Sequence, residues 1–275
     1  MTSQAAMSSD ESLSAVVVGT KEHEVWESLA AVTDPELDES VTALGFVTTV
    51  SVKERAVFIG FHLPTYWCAA NFAYMMASDM HRAAMALPWV TSVCVELDEH
   101  MYSETINRGI AASLSFQDTF GDEANDEIHV VRDKFRRKAF QQRQELVIRY
   151  LLARHHTVES IVALRMFQLD VLPFEDDEGQ QLSARYREIR QEFGGACESD
   201  NFAFVRLDGV QLAVDTFDQY LLELRSVRIN TQFNGEICRG LLAARYGQSE
   251  ASPTEVRVAF PALEEQQARD SLQGT

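Results

Sequence analysis

The residues of this chain best suited to chemistry lie in one short run, Leu63-Pro64-Thr65-Tyr66-Trp67-Cys68. Pro64 ends a preceding strand. Thr65 is a good helix cap, because its hydroxyl can accept from a backbone N–H two or three residues on. With Thr65 as the cap, Cys68 falls in the first helical turn, where free N–H groups and the helix dipole favour an anion. A thiolate held there binds iron or attacks an electrophile. The competing reading is a buried cysteine that acts as a small hydrophobe, and the spacing fits both.

A second group of polar residues is Asp34-Pro35-Glu36. Asp-Pro makes a stiff turn, and the carboxylates of Asp34 and Glu36 are hard oxygen donors. Alternatively, Asp34 caps the turn and Glu36 is solvated. His62 and His100 are the histidines near Cys68 in sequence-defined space, and a thiol nucleophile would need one of them as its base. His155-His156 would point in different directions on a helix.

The elements that must position these residues are legible in outline. Val25, Leu29 and Val32 predict an amphipathic helix from Lys21 that ends near Thr33, before Pro35. Alternation predicts strands over Phe46 to Val52 and Ala56 to His62, joined by a turn at Lys53 to Arg55. Tyr66 to Leu87 predicts one long helix, rich in Ala and Met, and Val90 to Leu97 a third strand. Ser113 to Glu127 is expected to be a linker or long loop. Beyond it come predicted helices over Arg132 to Arg154, from a Thr157 cap, and over Asp176 to Phe193. A hairpin is expected at Phe202 to Leu212, then helices over 216–225 and 231–246. The fold class is therefore α+β: a small α-β-β-α-β domain at 20–112 and a mainly helical domain at 128–247, with flexible tails at 1–19 and 248–275.

Composition narrows the function. The 275 residues carry 42 acidic against 24 basic side chains, a formal net charge of -18. Such a chain repels phosphate backbones and anionic membrane surfaces, so neither nucleic acid nor membrane is expected as a partner. No run approaches the roughly 20 apolar residues of a membrane span, and the start lacks the pattern of a signal peptide. Cys68, Cys94, Cys197 and Cys238 are widely spread, which fits a reducing cytoplasm better than a disulfide framework or a zinc ribbon. There is no Gly-x-Gly-x-x-Gly, no Gly-x-x-x-x-Gly-Lys, no His-Glu-x-x-His and no Glu-x-x-His. The basic cluster Arg132, Lys134, Arg136, Arg137, Lys138 reads as a solvated helix face or a dock for an acidic partner. Met75, Met76, Met80 and Met85 read as adaptable core or as a binding surface.

Taken in order, Asp-Pro-Glu, Ser-Val-x-x-Leu-Gly-Phe-Val, a strand pair, Leu-Pro-Thr-x-x-Cys and Ala-Leu-Pro-Trp-Val-x-x-Val-x-Val form a series. It resembles the metal–sulfur cluster assembly family of the SufT and PaaD kind, over about a third of the chain. The resemblance implies an accessory protein, not an enzyme, that delivers iron–sulfur clusters or matures their client enzymes. It implies Cys68 as the reactive cysteine that holds or relays iron or a cluster, with Thr65 beside it and Asp34 and Glu36 as the acidic loop. Two departures are Ala69 where the family commonly has Pro after the cysteine, and Glu99-His100-Met101-Tyr102 after the third strand. One cysteine cannot saturate a cluster, which takes four protein ligands. The cargo would be transient, shared with a second subunit of a homodimer, a small thiol or the client. The client metalloenzyme, or the assembly machinery, is the expected partner, and a multicomponent binuclear-iron monooxygenase is the client suggested by association. The alternatives are a metal-free folding chaperone or scaffold and a cysteine-dependent thiol enzyme.

Overall fold

The computed structural model describes residues 19–124, 128–174 and 176–247. The expected tails at 1–19 and 248–275 therefore lie, Gly19 apart, outside the described residues. The chain divides into two compact units, and both are discontinuous in sequence. The first takes residues 19–34, 39–123 and 239–247, and the second takes 35–38, 128–174 and 176–238 together with Ala124.

In the first unit, α1 (Lys21–Ala30) opens on Thr20, whose side chain accepts from the His23 N–H. It buries Val25 and Leu29, one turn apart. Strands β1 (Val47–Lys53) and β2 (Ala56–Phe61) pair antiparallel, and the tight turn between them is made possible by Glu54 at φ 57. Helix α2 (Ala70–Met85) then carries the chain across to β3 (Ser92–Leu97), which pairs parallel to β2. The sheet order is β1-β2-β3. Helices α1, α2 and α3 (Ser103–Ala111) pack on it. Val50, Ile59 and Phe61 of the sheet and Ala73, Met76 and Met80 of α2 are all buried in the core. Met75, Met76 and Met80 are buried, whereas Met85 is exposed. The α+β class and the α-β-β-α-β order follow the sequence.

Three expectations in this unit need correction. Helix α3 was not anticipated. The expected linker at Ser113 to Glu127 contains α4 (Phe116–Phe120), capped by Ser115 and fixed by burial of Phe116 against Tyr74. The long helix starts at Ala70, not after Thr65: Ala69 has a non-helical ψ of 126, and the carbonyls of Tyr66 and Cys68 accept from the Met101 N–H and the His100 ring.

The second unit is helical. Helix α5 (Ile128–Ala153) packs on α8 (Asp177–Arg190), with α6 (Val158–Ala163), α7 (Met166–Val171) and α9 (Phe217–Tyr246) completing the set. Thr157 caps α6 as its sequence predicts. Residues of α9 up to 238 belong to this unit and those from 239 to the first. Its core includes Phe140, Ile148, Leu151, Tyr186, Phe204 and Leu224. Two buried polar side chains here, Arg190 and Gln144, are richly hydrogen-bonded. Arg190 is 1% exposed and donates to the carbonyls of Phe193, Gly195, Ala196, Phe202 and Ala203. It thereby holds the loop that opens at Gly194, whose φ of +81 and 2.5 Å approach of the Val205 side chain to its absent Cβ suit only glycine. Gln144 joins Tyr186, Tyr220 and the Val205 carbonyl.

The two helices expected at 216–225 and 231–246 are the single α9, because burial of Leu224, Thr231 and Gly235 on one side carries it through the polar stretch. The expected hairpin at 202–212 is a turn with one bridge, Val205 to Gln211. His155 and His156 lie in the turn after α5, not on the helix, with His155 at φ 64. In the basic cluster, Arg136 pairs with Glu192, Arg137 with Asp133, and Lys138 lies over the Phe135 ring.

Candidate functional site

The parallel pairing of β2 with β3 brings the two loops that leave their carboxyl ends side by side. One is His62 to Ala69 and the other Asp98 to Tyr102. They are joined through the backbone: the Met101 N–H donates to the Tyr66 carbonyl at 2.9 Å, and the Asp98 N–H to the Phe61 carbonyl at 2.9 Å. The His100 ring, 4% exposed, adds a third link, its Nε2–H donating to the Cys68 carbonyl at 2.8 Å. Its Nδ1 accepts from the Tyr102 N–H at 3.2 Å, which fixes the neutral tautomer. Burial pushes the His100 pKa below its ordinary value, opposed by the bond to Cys68.

Cys68 is half-buried and stands one residue before Ala69, the cap of α2. The first-turn placement that the spacing predicts is thus not realised. Its sulfur lies 3.1 Å from the Thr65 hydroxyl, so Thr65 touches the thiol directly instead of capping the helix. Tyr66 and Trp67 project outward beside it, Trp67 with 72% of its surface exposed. A large aromatic so exposed next to a thiol is a feature of the loop that the sequence run contained but that spacing did not single out.

Arg245 ties the same two loops together. Its guanidinium donates to the Leu63 carbonyl at 3.3 Å and to the Glu99 carbonyl at 2.8 Å, and meets the Glu99 carboxylate at 3.0 Å. Glu99 sits at φ 49, a left-handed conformation that these bonds help to hold. Tyr246 stacks on His62, with ring centroids 3.8 Å apart, and His62 donates to the Gly45 carbonyl. Burial lowers the pKa of His62 as well. Asn107 of α3 secures the end of β3 by pairing with both the N–H and the carbonyl of Leu97. No sequence signal marks Arg245, which lies far along the chain. Ile106 and Ile110 at helical spacing were the available sign of α3 and hence of Asn107.

The acidic loop divides. Asp34 is buried in the first unit, its N–H donating to the Glu39 carbonyl. Glu36 belongs to the second unit and accepts from Asn234 at 3.1 Å. Asp38, which sequence reasoning passed over, is the heavily paired carboxylate of that loop, held by Arg143 at 2.7 Å and by Arg185. Among the described residues, no group of three or more His, Cys, Asp or Glu side chains converges to hold a metal ion.

Residues 22–96 match the family of iron–sulfur cluster assembly proteins. This assembly-family segment runs from α1 to the end of β3 and contains Asp34, Glu36, Thr65 and Cys68. His100, Asn107 and Arg245, which organise the loop around Cys68, lie outside it. No curated protein and no solved structure matches the chain. The match points to a role in iron–sulfur cluster assembly. No helix among the described residues is long and apolar enough to cross a membrane.

Proposed function

We propose that this protein is a non-catalytic maturation factor whose Cys68 takes up iron or an iron–sulfur cluster as cargo and passes it to a client metalloenzyme. The observation that carries the reading is the state of the loop. A half-buried thiol with a hydroxyl 3.1 Å away sits on a backbone clamped by His100, inside the segment that matches the assembly family. On binding iron, Cys68 gives up its proton to solvent, and the Thr65 hydroxyl can donate to the sulfur that remains. The remaining ligands come from the donor or the client, which makes release easy. Exposed Tyr66 and Trp67 give the partner an aromatic anchor beside the cargo. A binuclear-iron monooxygenase is the client class we propose. Neither neighbouring histidine is bonded to the sulfur: His100 donates to the Cys68 carbonyl and His62 to that of Gly45, which favours a ligand role for the thiol over nucleophilic catalysis. Co-expression with the client tests the proposal. Client iron content and activity should fall about tenfold or more with Cys68→Ser, by loss of a ligand the cargo needs.

A second reading is favoured by the exposure of Trp67: a metal-free scaffold that docks the client through its aromatics. It predicts that Cys68→Ser leaves activation intact while Trp67→Ala abolishes it.

A further inference from the structure

Helix α9 carries two apolar faces. Within the second unit it buries Phe217, Tyr220, Leu224, Thr231 and Gly235. At about 100° per residue, Leu222, Ile229, Phe233 and Ile237 fall on the opposite side. All four are exposed, Leu222 by 63% and Phe233 by 65%. The stripe is about 22 Å long at the α-helical rise, and a helix that already faces a core on one side has no need of it for folding. Single exposed apolar residues require no explanation, but a row on one helix face, interrupted only at Ser226, does.

The order of residues along the stripe identifies its occupant. Leu222 with Ile237, Ile229 with Phe233, and exposed Arg225 with exposed Glu236 are each centred within about one residue of Asn230. The sequence is thus near-palindromic in chemistry about that point. We infer that α9 pairs antiparallel with α9 of a second copy of this chain, about a two-fold axis beside Asn230. In that arrangement, Leu222 of one copy meets Ile237 of the other, and Ile229 meets Phe233. Every apolar side chain of the stripe then finds an apolar neighbour, as a self-complementary two-fold interface requires. Arg225 and Glu236 lie along the same edge of the stripe, and in an antiparallel pair like edges face each other, so two Arg225–Glu236 ion pairs flank the seam. A parallel pairing would set Arg225 against the opposite edge and forgo both. On the opposite face Phe217, Tyr220 and Leu224 already belong to the unit's own core, so the contact does not compete with them.

The test measures the self-association constant of the full chain by analytical ultracentrifugation across the micromolar range. The wild-type chain should be a concentration-dependent dimer. Phe233→Glu, at an exposed position that leaves the core untouched, should weaken the dimer by about a hundredfold with an unchanged circular dichroism spectrum. Arg225→Glu and Glu236→Arg should each weaken it by about threefold to tenfold, and the double exchange should restore it. A wild-type chain that stays monomeric overturns the inference, and so does a dimer indifferent to Phe233→Glu. Failure of the double exchange to recover what each single exchange loses overturns the antiparallel register.

Discussion

The two units spend their polar residues differently. In the second, Arg190, Gln144, Tyr186 and Tyr220 are buried, and each is bonded to backbone carbonyls or to one another. Their work is to hold a loop and a helix pair in place. In the first, the polar groups at the ends of β2 and β3 secure the backbone of one short loop, whose thiol is half-buried and whose aromatics Tyr66 and Trp67 are exposed. Side chains bonded to one another and to buried carbonyls stiffen a scaffold, whereas a clamped main chain leaves its own side chains available for contacts.

The strongest challenge to this contrast is Arg190→Ala. It removes a buried cation from five carbonyl acceptors and should cost about 3–5 kcal/mol of unfolding free energy in urea titration. A loss below about 1 kcal/mol would mean that the loop does not depend on it. Tyr186→Phe keeps the ring but deletes its bonds to Ala203 and Gln144, and about 1–2 kcal/mol is expected by the same assay.

In the first unit, pH is the gentler probe. The folded-state pKa of His100 lies below 6.5 because burial disfavours its charged form. As pH falls below 6.5 the unfolded chain takes up a proton that the folded loop resists. The stabilisation is complete above 6.5 and is lost as pH falls through the lowered value. Melting temperature should therefore drop between pH 7.5 and pH 6, with a shallower slope in His100→Gln. His62 and His81 shift in the same direction, so the slope should shrink without vanishing. Burial raises the pKa of Glu96 and Asp98, which acts in the opposite sense at lower pH. An identical slope in the variant would remove His100 from the clamp. Smallest of all, Cys68→Ser should leave unfolding free energy within about 0.5 kcal/mol, since the residue is partly exposed and the new hydroxyl keeps Thr65 as a neighbour.

The sequence made the sheet legible because local rules decide it: alternation over Val47–Lys53 and Ala56–Phe61, a polar turn between them, and β-branched residues in Ser92–Leu97. It also pointed to Cys68 and Thr65 as neighbours. It misplaced the start of α2 because local capping propensity favours Thr65, whereas the Tyr66 and Cys68 carbonyls are claimed by Met101 and His100 more than thirty residues on. A long-range hydrogen bond leaves no trace in spacing. Arg245 was illegible for the same reason. Asp38 was passed over in favour of Asp34 and Glu36 because its partners, Arg143 and Arg185, come from distant helices. The break expected inside α9 reflects polar residues whose cost is offset by burial on the other face.

The central claim is that the Cys68 sulfur is a ligand for iron in transit. The direct measurement is iron and acid-labile sulfide per chain, with the visible absorption spectrum, after anaerobic loading of the full protein in the presence of a small thiol. The account predicts iron and a thiolate-to-iron absorption band that disappear in Cys68→Ser while the fold is retained. Equal iron, sulfide and absorption in the two proteins would contradict it.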